Sequence, residues 1–547
     1  MIASTWDEEY DTISVGSGIG GLSTAITAAE RGAKALVIEK FELLGGVSAL
    51  SSGQLWPGPN HLAKAAGIED SVDKAKDYID HLGQGHASPE IRDQYFARAQ
   101  ECIKYYDETI GIPLTVIKGL PDYYYPEVPG SAPEGRYLEV QPFPAAKLGE
   151  YQKKVLVSPY GAYYSYTTST EWVEMQAGGP SLGACIQGHL AKDERCAGAG
   201  MAAAQVYEAL KRGVDFRTST EVVELVTEDS RVVGVVARDS QGTRRIRARL
   251  GVILATGGYD WNRRFVGSFD ALPVAGSMAL PTVTGDHIVL SSKLGVIPLP
   301  SRAPGQSPIF VGYKVPTEKI YGIGPAYRLL VPGQPHSIIV NATGSRFSND
   351  SFYPDVVAKV SRFDGQEDGM VNWPAWIVFD QRMLNRKGML PAPPGQPLPE
   401  GMAIKADSLA ALAEQAGIDP KGLAATIERY NAMCDEGVDH DFKRGTNPWG
   451  ALMAGDPKLK NPNMAPVSEG PFYAVKLERV TMGVPTAGLP IDGDGRVETA
   501  GGSVVPGLYA AGNSAAWADW GGGFNSGIAG MRGLLYGYRA ALHMTAK

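Results

Sequence analysis

The sequence predicts an α/β fold built on a Rossmann-like domain, and three observations carry that prediction. Residues 11–40, DTISVGSGIGGLSTAITAAERGAKALVIEK, order a strand-like run, a GxGxxG turn, a helix-patterned segment and a second strand. Two later stretches, GVILATGGYDWN and GLYAAGN, read as buried strands that run straight into glycine. An apolar fraction of 44% against 20% charged residues is that of a globular protein, and 547 residues make two domains the working number.

Taken in order, residues 12–15 form the first strand and Gly16 makes the tight turn. Gly18, with Gly20 beside it, lets a pyrophosphate approach the backbone, and Gly21 packs helix on strand. The helix N-terminus then faces the phosphates. The second strand, 35–38, ends on Glu39, which can bond a ribose hydroxyl, with Lys40 next to it. Strand, helix, strand and terminal acid in register argue for a bound dinucleotide rather than a chance glycine-rich turn. LLGGVSALSSGQLWPG then supplies Gly45 and Gly46, hydroxyls at Ser48, Ser51 and Ser52, and Gly53, a set that fits FAD better than NAD. Residues 212–239 read as strands with a hairpin turn near Asp229 and Ser230, and put Val222 and Val223 beside the cofactor. Ala255, Thr256 and Gly257 end one buried strand at the cofactor; Gly512 and Asn513 end the other, where a flavin ring or ribityl chain meets open backbone. Gly527 and Ile528, at a helix start, complete the cofactor contacts.

Several function classes are excluded. A net charge of −8 without a basic cluster argues against nucleic acid, whose binding rests on phosphate neutralisation. No run approaches the roughly 18 uncharged apolar residues of a membrane span. The start, MIASTWDEEYDTISVG, has no secretion-signal pattern, so the expected location is the cytoplasm. Four scattered cysteines, with no CxxC pair, indicate neither a disulfide framework nor a metal site.

GSGIGGLSTAITAAERG with Glu39, LLGGVSALSSG, VILATGGYDWN, HSIIVNATGSRFSND and GLYAAGN together resemble the flavoprotein family of fumarate reductases, succinate dehydrogenase flavoprotein subunits and 3-ketosteroid dehydrogenases. The resemblance covers nearly the whole chain. It implies an α/β FAD-binding domain split in sequence (1–286 and 467–547) around an inserted α+β substrate-binding cap (287–466). SLAALAEQAGIDPKGLAATIERYNAMCDEG reads as two helices of that cap, and residues 390–401 as a proline-rich surface loop. No histidine stands in LLGGVSALSSG, where relatives with covalent flavin carry theirs, so the expected FAD is noncovalent.

Fumarate reductases resemble the chain up to Arg346 and Asn349, but the arginine that serves as their proton donor is missing from SFYPDVV, where Tyr353 stands. Three stretches are similar to 3-ketosteroid dehydrogenases: residues 119–149 with PDYYYPE, NDSFYPD, and the C-terminal PGLYAAGN with GYRAALHM. That resemblance implies removal of two hydrogens beside a ring ketone, on a small hydrophobic ketone such as a steroid, with electrons passing to an acceptor the sequence does not identify. The reaction needs donors on the ketone oxygen and a base at the α-carbon. Tyr353 is the expected base, made more acidic by one of Tyr123, Tyr124 or Tyr125, with Tyr124 in the site. The resemblance puts Gly527 on the backbone donor to the ketone; Gly523 stands where Δ1-forming enzymes carry a tyrosine, and Ser526 matches a serine of the Δ4-forming branch, with Phe524 in place of a tyrosine. The position of the new double bond stays open. Ser526 could instead cap the helix at Gly527, and Asp286 could N-cap a helix that His287 continues. Residues 158–172, Trp517 and Trp520 could wall a hydrophobic pocket, or equally form an entrance loop or a subunit contact. The rivals are desaturation of a smaller cyclic ketone, a reductase of an enone or enoate, favoured by a buried Arg532 or Arg346 near the flavin, and a flavin-bearing binding or redox-sensing protein, favoured by a flavin walled off from any cavity.

Overall fold

A computed structural model describes residues 6–270, 275–300, 310–521 and 523–546. Its main sheet runs, from one edge, Arg496–Glu498, Val504–Ala510, Gly242–Leu254, Glu8–Val15, Ala35–Ile38 and Asp215–Arg217. Every pairing on that path is parallel except that of the edge strand Arg496–Glu498. All four residues of Ala35–Ile38 are buried, as a parallel strand covered on both faces requires. Glu221–Glu228 and Arg231–Asp239 form the hairpin expected at Asp229 and Ser230, whose φ values of 46° and 64° make the turn, and it extends antiparallel from Gly242–Leu254.

The helix Ile19–Glu30 follows the glycine turn. A Cβ on Gly21 would stand 1.9 Å from the Gly16 carbonyl oxygen, so only glycine lets helix and strand approach this closely. The C-terminal helix Ile528–Met544 lies against the first one, with Ser23 Oγ donating to the Leu534 carbonyl at 2.6 Å. Residues from both ends of the chain thereby build one α/β layer.

The intervening segment forms two further sheets. One orders Ser337–Asn341, Ala375–Asp380, Phe472–Lys476 and Ile404–Ala406, all antiparallel. The two helices read in the sequence, Leu409–Ala416 and Pro420–Glu436, cover it, with Leu412 and Ile427 in one core with Ile338 and Val378. The other orders Gly276–Ser277, Glu478–Thr481, Phe310–Val315 and Ala326–Leu329. Phe472–Lys476 and Glu478–Thr481 lie past residue 466 yet pair with strands of this segment.

Candidate active site

A cavity of about 430 Å³ lies between the glycine turn and the intervening segment. On the nucleotide side it is lined by Gly16, Gly18, Gly20, Glu39, Lys40, Gly46, Ser48, Ser52 and Gly53, and by Val222, Ala255, Thr256, Gly257, Gly512, Asn513 and Gly527. Gly21 and Gly45 shape the turns behind it. Val223 is 36% exposed on the outward face of its strand, because neighbouring strand residues point to opposite sides, and Ile528 is buried in the core.

Glu39 is fixed for its task. Its Oε2 accepts the Ser17 N–H at 2.9 Å and the Ser17 hydroxyl at 2.6 Å, and its Oε1 accepts the Phe41 N–H at 2.8 Å. Burial raises its carboxyl above the ordinary range while these donors oppose the shift. Lys40 pairs with Glu221 and Asp286, each at 3.0 Å, and so ties the hairpin and the helix Asp286–Ser292 to the second strand. Asp286 is thus not an N-cap; Gly285, with φ 81°, holds that position. His287 is buried with Nδ1 3.0 Å from Thr256 Oγ1, and burial pushes its pKa down to about 3, so it is neutral. Asn513 donates to the Gly483 carbonyl at 2.6 Å, and its Oδ1 is buried without a partner among the described residues. A hydrogen-bond donor on a bound group would satisfy that atom. Glycine cradle, fixed carboxylate and waiting acceptor all fit a flavin dinucleotide.

On the other side the walls become aromatic: Tyr123, Tyr163, Tyr164, Trp172, Phe310, Trp449 and Phe524. Of the tyrosine run, Tyr123 lines the cavity, whereas Tyr124 packs edge-on against Phe352 at 5.2 Å. The Tyr123 ring stands 4.2 Å from Trp449 and 5.5 Å from Tyr353, the latter at 88°. Tyr353 begins a helix, Tyr353–Val360, and its ring also meets Phe310 at 5.6 Å, one layer back from the cavity wall. Its hydroxyl is buried and makes no hydrogen bond of ordinary geometry, though it is near enough to that of Tyr123 to perturb it. Burial, then Tyr123, push the Tyr353 phenol well above its usual value. Burial also raises Tyr123, but there the hydroxyls of Tyr353 and Ser526 pull the other way.

The glycine-rich C-terminal stretch divides its labour. Trp517 and Trp520 are 1% and 0% exposed and belong to the core, Trp520 lying edge-on to Trp56 at 5.1 Å, so the tryptophans do not wall the cavity. Phe524, Asn525, Ser526 and Gly527 do. Gly527, with φ 77°, caps the last helix through its backbone, and a Cβ there would stand 2.9 Å from the Leu55 carbonyl carbon. Its N–H donates to no group among the described residues. Ser526 caps nothing; its hydroxyl donates to Gln54 Oε1. Asn525, which sequence reasoning missed, accepts from the Tyr78 hydroxyl (2.9 Å), the Tyr137 hydroxyl (3.0 Å) and the Tyr123 N–H (3.1 Å). The signal available was an asparagine between a wall aromatic and a site serine; its three donors lie some 400 residues away in the chain and leave no local trace.

Among the described residues Lys40 is the one cationic side chain on the lining, and it is already paired. Arg346 is held by Asp350 at 2.9 Å and Asp439 at 2.8 Å, and Arg532 by Asp519 at 2.7 Å; neither lines the cavity. Among the described residues no group of histidine, cysteine or acidic side chains could hold a metal ion.

Comparison with known proteins places this geometry. The FAD binding domain family matches residues 11–528. The 3-oxosteroid 1-dehydrogenase of Mycolicibacterium smegmatis is 35% identical, over 92% of this chain and 92% of its own. The 4-oxocyclohexanecarboxylate 2-dehydrogenase of Sinomonas cyclohexanicum is 31% identical, over 92% of this chain and 87% of its own. Among solved structures, the 3-ketosteroid delta1-dehydrogenase from Sterolibacterium denitrificans, in complex with 1,4-androstadiene-3,17-dione, superposes with a TM-score of 0.87 at 28% identity, covering 98% of this chain and all of that one.

Proposed function

For a chain that belongs to the FAD binding domain family, and within it to the 3-oxosteroid dehydrogenases, we propose the introduction of a C=C bond α,β to the ring ketone of a 3-ketosteroid. One observation carries the reading: Tyr123, Ser526 and Gly527, whose N–H has no partner among the described residues, line a mostly apolar cavity that the glycine cradle also borders. A neutral, multi-ring ketone buries its carbons against such walls and needs polar groups at one end only.

The residues divide the work as follows. The Gly527 N–H holds the ketone oxygen, where negative charge grows as the α-proton leaves. Tyr353, whose ring stands 5.5 Å from that of Tyr123, takes that proton. FAD, when bound, supplies the hydride acceptor for the β-carbon. Phe310, Trp449 and Phe524 exclude water, which strengthens each polar contact inside. The names of the relatives and the liganded structural neighbour support formation of the double bond on the Δ1 side.

A second reading, desaturation of a small oxocyclohexane carboxylate, is favoured by the Sinomonas relative. The described lining argues against it: a buried carboxylate needs a cation, and the one cation among the described lining residues is engaged at the nucleotide end. A reductase reading loses its cation in the same way, since Arg346 and Arg532 are spent on carboxylates outside the cavity. The proposal also includes noncovalent FAD, because no histidine or cysteine lines the cavity, and a reducing compartment, the cytoplasm, because all four cysteines are free. Among the described residues no helix is long and apolar enough to cross a membrane. The cap that carries the aromatic wall is taken to extend through Thr481, where its sheets end.

Comparing kcat/KM for a neutral 3-ketosteroid with that for 4-oxocyclohexanecarboxylate tests the choice. Preference for the steroid by tenfold or more is expected; equal or reversed preference would move the assignment to the smaller ketone.

A further inference from the structure

Tyr123 sits in an irregular turn, so no helix or sheet ladder holds its peptide groups. Two asparagines do so instead. Asn525 accepts the Tyr123 N–H at 3.1 Å, and Asn447, 5% exposed, donates from Nδ2 to the Tyr123 carbonyl at 3.0 Å. No other donor reaches that carbonyl among the described residues. The other end of the Asn447 amide is equally committed: Oδ1 accepts the Gly450 N–H at 3.0 Å and so N-caps the helix Pro448–Ala454. A carbonyl only accepts and an N–H only donates, so the amide fits one way round.

That helix touches both tyrosine-bearing segments. Trp449, its second residue, packs on the Tyr123 ring at 4.2 Å. Gly450 lies against the turn before Tyr353: a Cβ on it would collide with the Ser351 carbonyl oxygen, and the Gly445 N–H, just ahead of the helix, donates to the Ser351 hydroxyl at 3.0 Å. Further along, the Leu452 carbonyl accepts the indole N–H of Trp172, another wall residue, at 3.2 Å. The helix is thus a strut between the segments of Tyr123 and Tyr353, whose rings stand 5.5 Å apart.

We propose that Asn447 is a positioning residue for the double-bond-forming reaction: by holding the Tyr123 carbonyl, its amide N–H keeps the Tyr123 ring in the cavity wall and edge-on to Tyr353. The inference rests on the reading of Tyr353 as the group that takes the α-proton. Without that N–H, the Tyr123 backbone keeps only its bond to Asn525, and the wall beside Tyr353 loosens.

Substitutions separate the two ends of the amide. Asn447→Ser and Asn447→Asp both keep an oxygen that caps the helix. The aspartate has no proton to give, and the serine hydroxyl stops one atom short of the Nδ2 position. In both, flavin reduction at saturating ketosteroid is expected to slow about tenfold, the upper end of what one hydrogen bond supplies, with FAD content and Tm close to those of the parent. Hydrogen exchange of the Tyr123 amide, read by mass spectrometry on fragments spanning residues 119–126, is expected to quicken in both. Asn447→Ala, which loses the cap as well, should be slowed as much and melt lower. Parental exchange in both capping variants, or a parental reduction rate in both, would make the residue a helix cap only and overturn the inference. If no ketosteroid bleaches the parent flavin, the dehydrogenase reading fails, while the exchange measurement still decides whether Asn447 holds Tyr123.

Discussion

The roles proposed for Tyr353 and Gly527 belong to the scale of single residues, and one substitution tests each. Tyr353→Phe deletes only a hydroxyl that no structural partner needs. Flavin reduction by ketosteroid should slow by about 10²–10⁴-fold, the usual loss for an acid–base group, while FAD content and steroid binding stay as they were. Stopped-flow mixing under argon measures both, and an undiminished rate would remove Tyr353 from the mechanism. Burial raises both Tyr353 and Tyr123, and a base must be ionised to act. The phenolate fraction therefore grows as pH rises, so flavin reduction should climb through neutral into alkaline pH; a rate that falls over that range would contradict a tyrosine base. Gly527→Ala places a Cβ 2.9 Å from the Leu55 backbone at a φ of 77°, which displaces the N–H proposed to meet the ketone. Its rate should fall with its steroid affinity, unlike that of the tyrosine variant.

Among the elements, the segment between the last strand and the last helix holds the site together. Asn525→Ala would leave the Tyr78 and Tyr137 hydroxyls and the Tyr123 N–H without their shared acceptor. Unmet buried donors cost about 1–3 kcal/mol each, so a loss of a few kcal/mol is expected, read as a lowered denaturant midpoint with weaker steroid binding. An unchanged midpoint would show that water replaces the asparagine. Local signals were enough for the elements: the second strand, Ala35–Ile38, the hairpin at Asp229 and the two cap helices all appear in sequence because periodicity and turn residues are short-range properties. Which tyrosine faces the cavity was not legible. Tyr123, Tyr124 and Tyr125 look alike in sequence, and the choice of Tyr123 is made by Asn525 gripping its N–H from the other end of the chain. Trp517 and Trp520 misled for a related reason: an aromatic beside glycines reads the same whether it faces a cavity or, as here, Trp56 and Tyr95.

For the whole molecule, the cavity stands at the junction of the parts. The cavity takes its walls from the first strands, from Gly512 and Asn513 near the C-terminus and from the intervening segment, so FAD bound there would touch all three regions at once. Ligand binding to the folded state alone adds RT ln(1 + [FAD]/Kd), about 2.7 kcal/mol at a hundredfold excess over Kd. Stripping the flavin should lower Tm, and added FAD should restore it in a concentration-dependent way; a Tm indifferent to FAD would place the cofactor elsewhere. The split of the α/β domain was legible because its glycine motifs lie at both ends of the chain, whereas the reach of the cap sheets past residue 466 depends on strand pairing that no local pattern encodes.

Anaerobic titration of the yellow protein with a neutral 3-ketosteroid, followed by the mass of the recovered ligand, tests the central claim most directly. The account predicts a bleached flavin and a product two hydrogens lighter. A flavin that stays oxidised with every ketosteroid offered, but that is reoxidised by an enone once chemically reduced, would contradict it.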